Sequence, residues 1–234
     1  MSSSPAGRLG RTFAWAFAGL VIVAGVLVTV VSSGLPPTEP DLAKHYAYVR
    51  QIWPGLYISF LLFMAASLCL IPVGLVLREV FGRSLRSELL YASFLAAGIL
   101  GVVWMLAQAG SAQAVVNDTA GATPQNLTII SASSSIWSAV INWLQRGFLI
   151  LASLGAYWTG RAALQSGLLP RALGWLSVML AAFYWLGLFS LLLRDLDVAV
   201  PCEASSILVG LTAVLALAWA VWLGWVLGRA ARTE

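Results

Sequence analysis

Six apolar runs, each about 20 residues or longer, follow one another along a chain of 234 residues. At 1.5 Å of rise per residue, about 20 residues cross the ~30 Å hydrocarbon core of a bilayer, and there a helix satisfies its backbone groups within a single segment. The runs therefore predict an all-α, polytopic membrane protein with six transmembrane helices, over residues 11–33, 52–80, 88–111, 136–164, 172–193 and 205–227. They form a single domain, 1–234, because the connections are too short to hold a separate soluble unit. Composition agrees: 60% of the residues are hydrophobic and 9% charged, more apolar surface than a water-soluble domain could cover.

Charge placement orients the spans. With both termini inside, the inner segments carry Arg8, Arg11, Arg78, Arg83, Arg86, Arg161, Arg171, Arg229 and Arg232, and the outer ones only Lys44, Arg50 and Arg194. Short loops rich in Lys and Arg stay on the cytoplasmic side, so the predicted topology is N-in, C-in. Acidic residues lean outward, with Glu39, Asp41, Asp118, Asp195, Asp197 and Glu203 against Glu79, Glu88 and Glu234. The formal net charge of +4 sits at span ends, not on one face or tail, so membrane lipid is an expected partner and nucleic acid is not.

Local signals refine the runs. The first is twice the length of a signal-peptide apolar region and no A-x-A-like site follows it closely, so it is expected to be an uncleaved helix. Between spans one and two, Thr38 or Glu39 ahead of Pro40 predicts the start of a short interfacial helix, with Tyr46, Tyr48 and Trp53 at headgroup level. Pro72 predicts a kink in span two. The polar stretch 112–135 is expected as the longest connection, and its two N-glycosylation triplets, at Asn117 and Asn126, carry no weight. Small residues let helices approach closely, which makes Ala97 and Gly101 of span three, and the G-x-x-x-G of Gly224 and Gly228, a candidate helix-contact face.

Catalytic and cofactor signatures are scarce. The one histidine, His45, lies in an outer segment, and no aspartate or lysine lies within a span. Two-histidine haem ligation, H-E-x-x-H zinc sites, an intramembrane aspartyl or Ser-His protease and a retinal Schiff base are thereby excluded within this chain. No metal site, cofactor or nucleotide-binding loop is expected. Cys69 lies mid-span and Cys202 near the outer surface, too far apart for a disulfide.

Arg146 is the one charge buried in an apolar span, the others lying at span ends. A continuous helix puts it ~22 Å from Arg161, in the outer third of the bilayer. Two readings stand. Arg146 either snorkels outward or pairs with Asp195, Asp197 or Glu203, or it faces an outward-opening pocket with Asn142, Gln145, Gln108 and Tyr57, as a candidate ligand or ion-pair cluster.

The run from Gln165 to Gly174, after a helix carrying Leu154, Gly155 and Tyr157, and the run from Tyr57 to Arg78 ending in Pro72-Val73-Gly74-Leu75-Val76-Leu77-Arg78, resemble two helix-exit turns of one family. It is the uncharacterised bacterial multi-pass membrane family catalogued as domain of unknown function four-three-eight-six. Gln165 stands where a basic residue is expected. The resemblance implies a six-helix protein of a bacterial inner membrane, and brings no catalytic residues with it.

Together these features point first to a non-enzymatic accessory or interaction subunit of a membrane assembly, contacting other membrane subunits or its own copies. The alternative is a small-molecule or lipid-binding protein or transporter using an outer pocket around Arg146. Enzymatic activity ranks third.

Overall fold

The computed structural model describes residues 5–33, 42–195 and 202–230, without the side chains of 194–195, 202–207, 209 and 230. It is helical, with no strand among the described residues: α1 Pro5–Ser32, α2 Leu42–Phe81, α3 Leu85–Asp118, α4 Pro124–Ser166, α5 Arg171–Asp195 and α6 Cys202–Ala230. All six are long and apolar enough to cross a membrane, as expected of a multi-pass membrane protein.

Turn chemistry explains where the helices stop. Gly82 and Gly167 take positive φ, +70° and +66°, a left-handed conformation that costs glycine little, and so end α2 and α4. Ser84 and Ser87 cap each other at the start of α3, the Ser84 amide donating to Ser87 Oγ at 2.9 Å. Thr123 caps α4 ahead of Pro124, whose missing N–H costs nothing in the first turn. Pro170 then ends the turn into α5.

Each helix packs on its neighbours in sequence and α6 packs back on α1, so the six close into a ring, with one added contact from α2 to α4. Gly10 of α1 lies against Val76 of α2 and Leu227 of α6, while at the other end Tyr48 Oη of α2 donates to the Val31 carbonyl at 3.1 Å. Neighbours therefore run antiparallel. Arg11, Arg78, Arg83, Arg86, Arg161, Arg171 and Arg229 gather at one end of the ring, the basic end. There Arg78 pairs with Glu88 at 2.8 Å, and Arg86 donates to Gln165, tying the α2–α3 turn to the end of α4. A basic residue at position 165 would repel Arg86, which gives a physical reason for the glutamine.

The centre of the ring is filled. Phe94 of α3 lies against Gly74 of α2 and Gly155 of α4, and its ring centroid is 5.9 Å from that of Trp219 of α6. Trp219 Nε1 donates to Ser177 Oγ of α5 at 2.8 Å, so its polar edge is satisfied in the apolar interior. The residual void here, touched by all six helices, measures only ≈10 Å³. Among the described residues, a void of that size has room for about one water molecule at this level of the bundle.

The small-residue positions expected to meet partners are occupied within the chain. Ala97 is buried in the core, and Gly101 lies against Ser67 of α2 and Phe148 of α4. Gly224 lies against Trp15, and Gly228 against Arg11, so the G-x-x-x-G of α6 is the seat of α1. Trp15 Nε1 reinforces that seam by donating to the Val221 carbonyl at 3.2 Å.

Helix lengths depart from the expected spans in one region. α2, α3 and α4 have 40, 34 and 43 residues, against 28, 25 and 29 for α1, α5 and α6. At 1.5 Å per residue the long three measure ~60, ~51 and ~64 Å, well beyond a ~30 Å core. Because α2, α3 and α4 meet the short turns of the basic end, the excess projects at the opposite end as a three-helix overhang. Residues 42–51, expected as a separate short helix, run unbroken through Pro54 as the first turns of α2. Its expected start at Thr38–Pro40 lies outside the described residues. The stretch 112–135, expected as a connection, is helix apart from residues 119–123. Its Ala, Ser, Thr and Gln residues supply no apolar run of span length, so hydropathy gives no sign of the helix there.

Candidate functional site

An open cavity of ≈600 Å³ lies between the three helices of the overhang. Each of its three walls is a one-sided stripe. α2 contributes Leu42, His45, Tyr46 and Val49, and α3 contributes Gln108, Ser111, Ala112 and Val115, both at the i, i+3, i+4, i+7 spacing of one helix face. α4 contributes Ser131, Ser134, Ser138, Ile141 and Asn142 along a similar face. The small serines and Ala112 leave space between the three helices that Leu or Phe side chains would fill.

The walls mix polar groups with the apolar side chains of Leu42, Val49, Ala112, Val115 and Ile141, and carry little charge. They present the hydroxyls of Ser111, Ser131, Ser134 and Ser138, the carboxamides of Gln108 and Asn142, and the ring of His45, with no carboxylate and no lysine or arginine. Ser134 and Ser138 donate to carbonyls one turn back in α4, at 2.8 and 2.9 Å, which leaves their oxygens able to accept. Such a lining can donate and accept hydrogen bonds without imposing a net charge on what it binds.

Polar contacts fix the α2–α3 side of this cavity. Arg50 Nη1 donates to the Thr119 carbonyl at 2.6 Å, capping the end of α3 with a cation where the helix dipole is negative. Trp53 Nε1 donates to Gln113 Oε1 at 2.8 Å, and Gln113 Nε2 to Asn117 Oδ1 at 2.8 Å. The α4 wall is held less tightly: between Pro124 and Val140 only Leu127 is buried.

Of the five residues grouped from the sequence, Gln108 and Asn142 line the cavity together. Arg146 lies one turn beyond Asn142 and is not part of the lining. It is 4% exposed, with its guanidinium carbon 4.6 Å from the centroid of the Trp143 ring, a cation–π contact that shelters its charge. Asp197, and the side chains of Asp195 and Glu203, lie outside the described residues. Gln145 is half-buried beside it and lines nothing. Tyr57 is exposed and packs on Trp53 at 5.5 Å between ring centroids, away from the cavity. His45 and the row Ser131, Ser134, Ser138 were not singled out as site residues, although the spacing of the serines was available to find them.

Among the described residues no three His, Cys, Asp or Glu side chains come together as a metal site. No family model, no curated protein and no solved structure matches this chain.

Proposed function

We propose that this is a membrane protein that binds a neutral, polar small molecule or lipid headgroup in the cavity of the three-helix overhang. The observation that carries the reading is a ≈600 Å³ space, within the usual size of ligand sites, between three helices, with hydroxyl and carboxamide groups on the α3 and α4 walls set among apolar side chains. The excess of arginine at the opposite end supports an N-in, C-in orientation, which turns the cavity outward. The closed centre of the bundle favours binding over conduction in this conformation. Together with the turns that resemble those of the bacterial family above, these features support a place in a bacterial cytoplasmic membrane.

The test is to fill the cavity. Ser138→Leu and Asn142→Leu put bulk into the space and remove hydrogen-bonding groups. Protein purified from native membranes in mild detergent is compared by native mass spectrometry, and its thermal unfolding is followed with glycerol, a disaccharide or phosphatidylethanolamine added. Retained mass or a ligand-dependent rise in Tm that is lost in both variants supports the reading. Variants that behave as wild type with every added compound refute it.

A second reading, an accessory or interaction subunit, keeps one support now that the small-residue face is occupied within the bundle. Ile129, Ile136 and Trp143 recur every seven residues along α4 and are 63, 69 and 65% exposed. An apolar row of that spacing fits a partner helix. Co-purification from native membranes, with Ile129→Ser and Ile136→Ser as the disrupting pair, decides whether it is used.

A further inference from the structure

A second polar site lies at the basic end, far from the overhang and independent of it. Where α1 starts and α6 finishes, Arg11, Trp15, Trp225, Gly228 and Arg229 surround a crevice of ≈170 Å³. The Arg11 guanidinium carbon lies 5.5 Å from the centroid of the Trp15 ring, and that of Arg229 lies 3.6 Å from the Trp225 ring. Stacking on an indole occupies the face of a guanidinium and leaves its in-plane N–H donors for a second partner. Arg78, at the same end, is already neutralised by Glu88. Among the described residues neither Arg11 nor Arg229 meets a carboxylate.

We propose that this crevice holds a phosphate group, either the headgroup phosphate of a lipid in the adjoining leaflet or a free phosphate. Two guanidiniums that converge on one small space match the charge and the oxygen geometry of phosphate. The two tryptophans place the crevice at headgroup level, where indole rings settle. Gly228 lets the Arg11 stem lie close against α6: a methyl group there would lie 2.6 Å from Arg11 Cδ, so the flexible side chain would have to move aside. The same G-x-x-x-G that seats α1 thus shapes one wall of an anion site.

The experiment uses the full chain in mild detergent, equilibrated with phosphatidylglycerol or phosphatidylcholine, with bound lipid counted by native mass spectrometry and inorganic phosphate as competitor. Phosphatidylglycerol is expected to be retained over phosphatidylcholine. Arg11→Gln and Arg229→Gln should each weaken retention roughly five-fold, and the pair roughly 25-fold, given the contribution of one basic residue near an anionic surface. Trp225→Leu, which keeps both charges, should weaken it as well, while Arg83→Gln in the exposed α2–α3 turn should leave it unchanged. Circular dichroism on each variant separates lost binding from lost folding. Retention in the presence of inorganic phosphate assigns the site to lipid, and displacement with the same order of variants assigns it to free phosphate. Equal weakening by Arg83→Gln, or full retention in the double variant, overturns the proposal, because net charge would then explain the effect.

Discussion

Replacing Gly224 by alanine tests the seam that closes the ring. The added methyl would lie 2.5 Å from both Cδ1 and Nε1 of Trp15, whereas carbon atoms pack at about 3.5–4.0 Å. An indole ring cannot bend, so it must swing away or α1 must retreat by about 1 Å. Either movement breaks the bond from Trp15 Nε1 to the Val221 carbonyl, worth about 0.5–1.5 kcal/mol. Overpacking adds about 1–3 kcal/mol, and the better helix propensity of alanine returns at most about 1 kcal/mol. The net expectation is a loss of about 1–3 kcal/mol, a sizeable share of the ~5–15 kcal/mol that holds a typical protein folded. Unfolding in mixed micelles of dodecyl maltoside and increasing SDS, followed by far-UV circular dichroism, measures it. Gly25→Ala serves as the control, since no atom lies within 4 Å of a methyl there, and it should be neutral or slightly stabilising. Light scattering on both variants should show the oligomeric state of the wild type. A Gly224→Ala protein as stable as wild type, or one whose only change is in oligomeric state, would refute the assignment of this motif to an internal contact.

Two further perturbations probe the bundle. Phe94→Ala empties the space between Gly74, Gly155 and Trp219 and should cost about 3–5 kcal/mol in the same assay, the range for deleting a large buried ring. Arg50→Gln removes the cation that caps α3 at Thr119, so amides near the end of α3 should exchange with solvent faster while those around Phe94 keep wild-type rates, as hydrogen exchange by mass spectrometry would show.

The part of the fold that lies in hydrocarbon was legible, because a bilayer demands about 20 apolar residues wherever a helix crosses it and that demand is written locally. The overhang was hidden for the complementary reason. In water a helix needs no apolar run, so hydropathy marks where the oil ends and not where the helix ends. Thr123-Pro124 is a legible start signal, a capping residue followed by a proline in the first turn, but it lies inside a stretch whose polarity reads as a loop. The spacing of Ser131, Ser134 and Ser138 marks one helix face only if the polar stretch before Ile136 is helical, which hydropathy does not reveal. Gln108 and Asn142 were found because a polar side chain near an apolar span stands out. Tyr57 was misplaced by geometry: it lies eight residues beyond Val49, so it is rotated by about 80° from that cavity-lining position and sits two turns deeper. Small-residue motifs signal that a helix can approach closely, but sequence cannot tell whether the helix they receive belongs to the same chain.

The three long helices also have a mechanical consequence. A bilayer with a ~30 Å core would grip each of α2, α3 and α4 along only part of its length, so each would act as a rigid lever with an arm beyond the membrane. With an arm of about 25–30 Å, a tilt of only about 5° in the gripped part moves the tip by about 2.5 Å, close to the diameter of a water molecule. The hydrogen bonds of Arg50 and Trp53 lash two of these levers together, while the α4 wall has few such ties. A change in bilayer thickness that tilted α4 against the α2–α3 pair would alter the width of the cavity mouth.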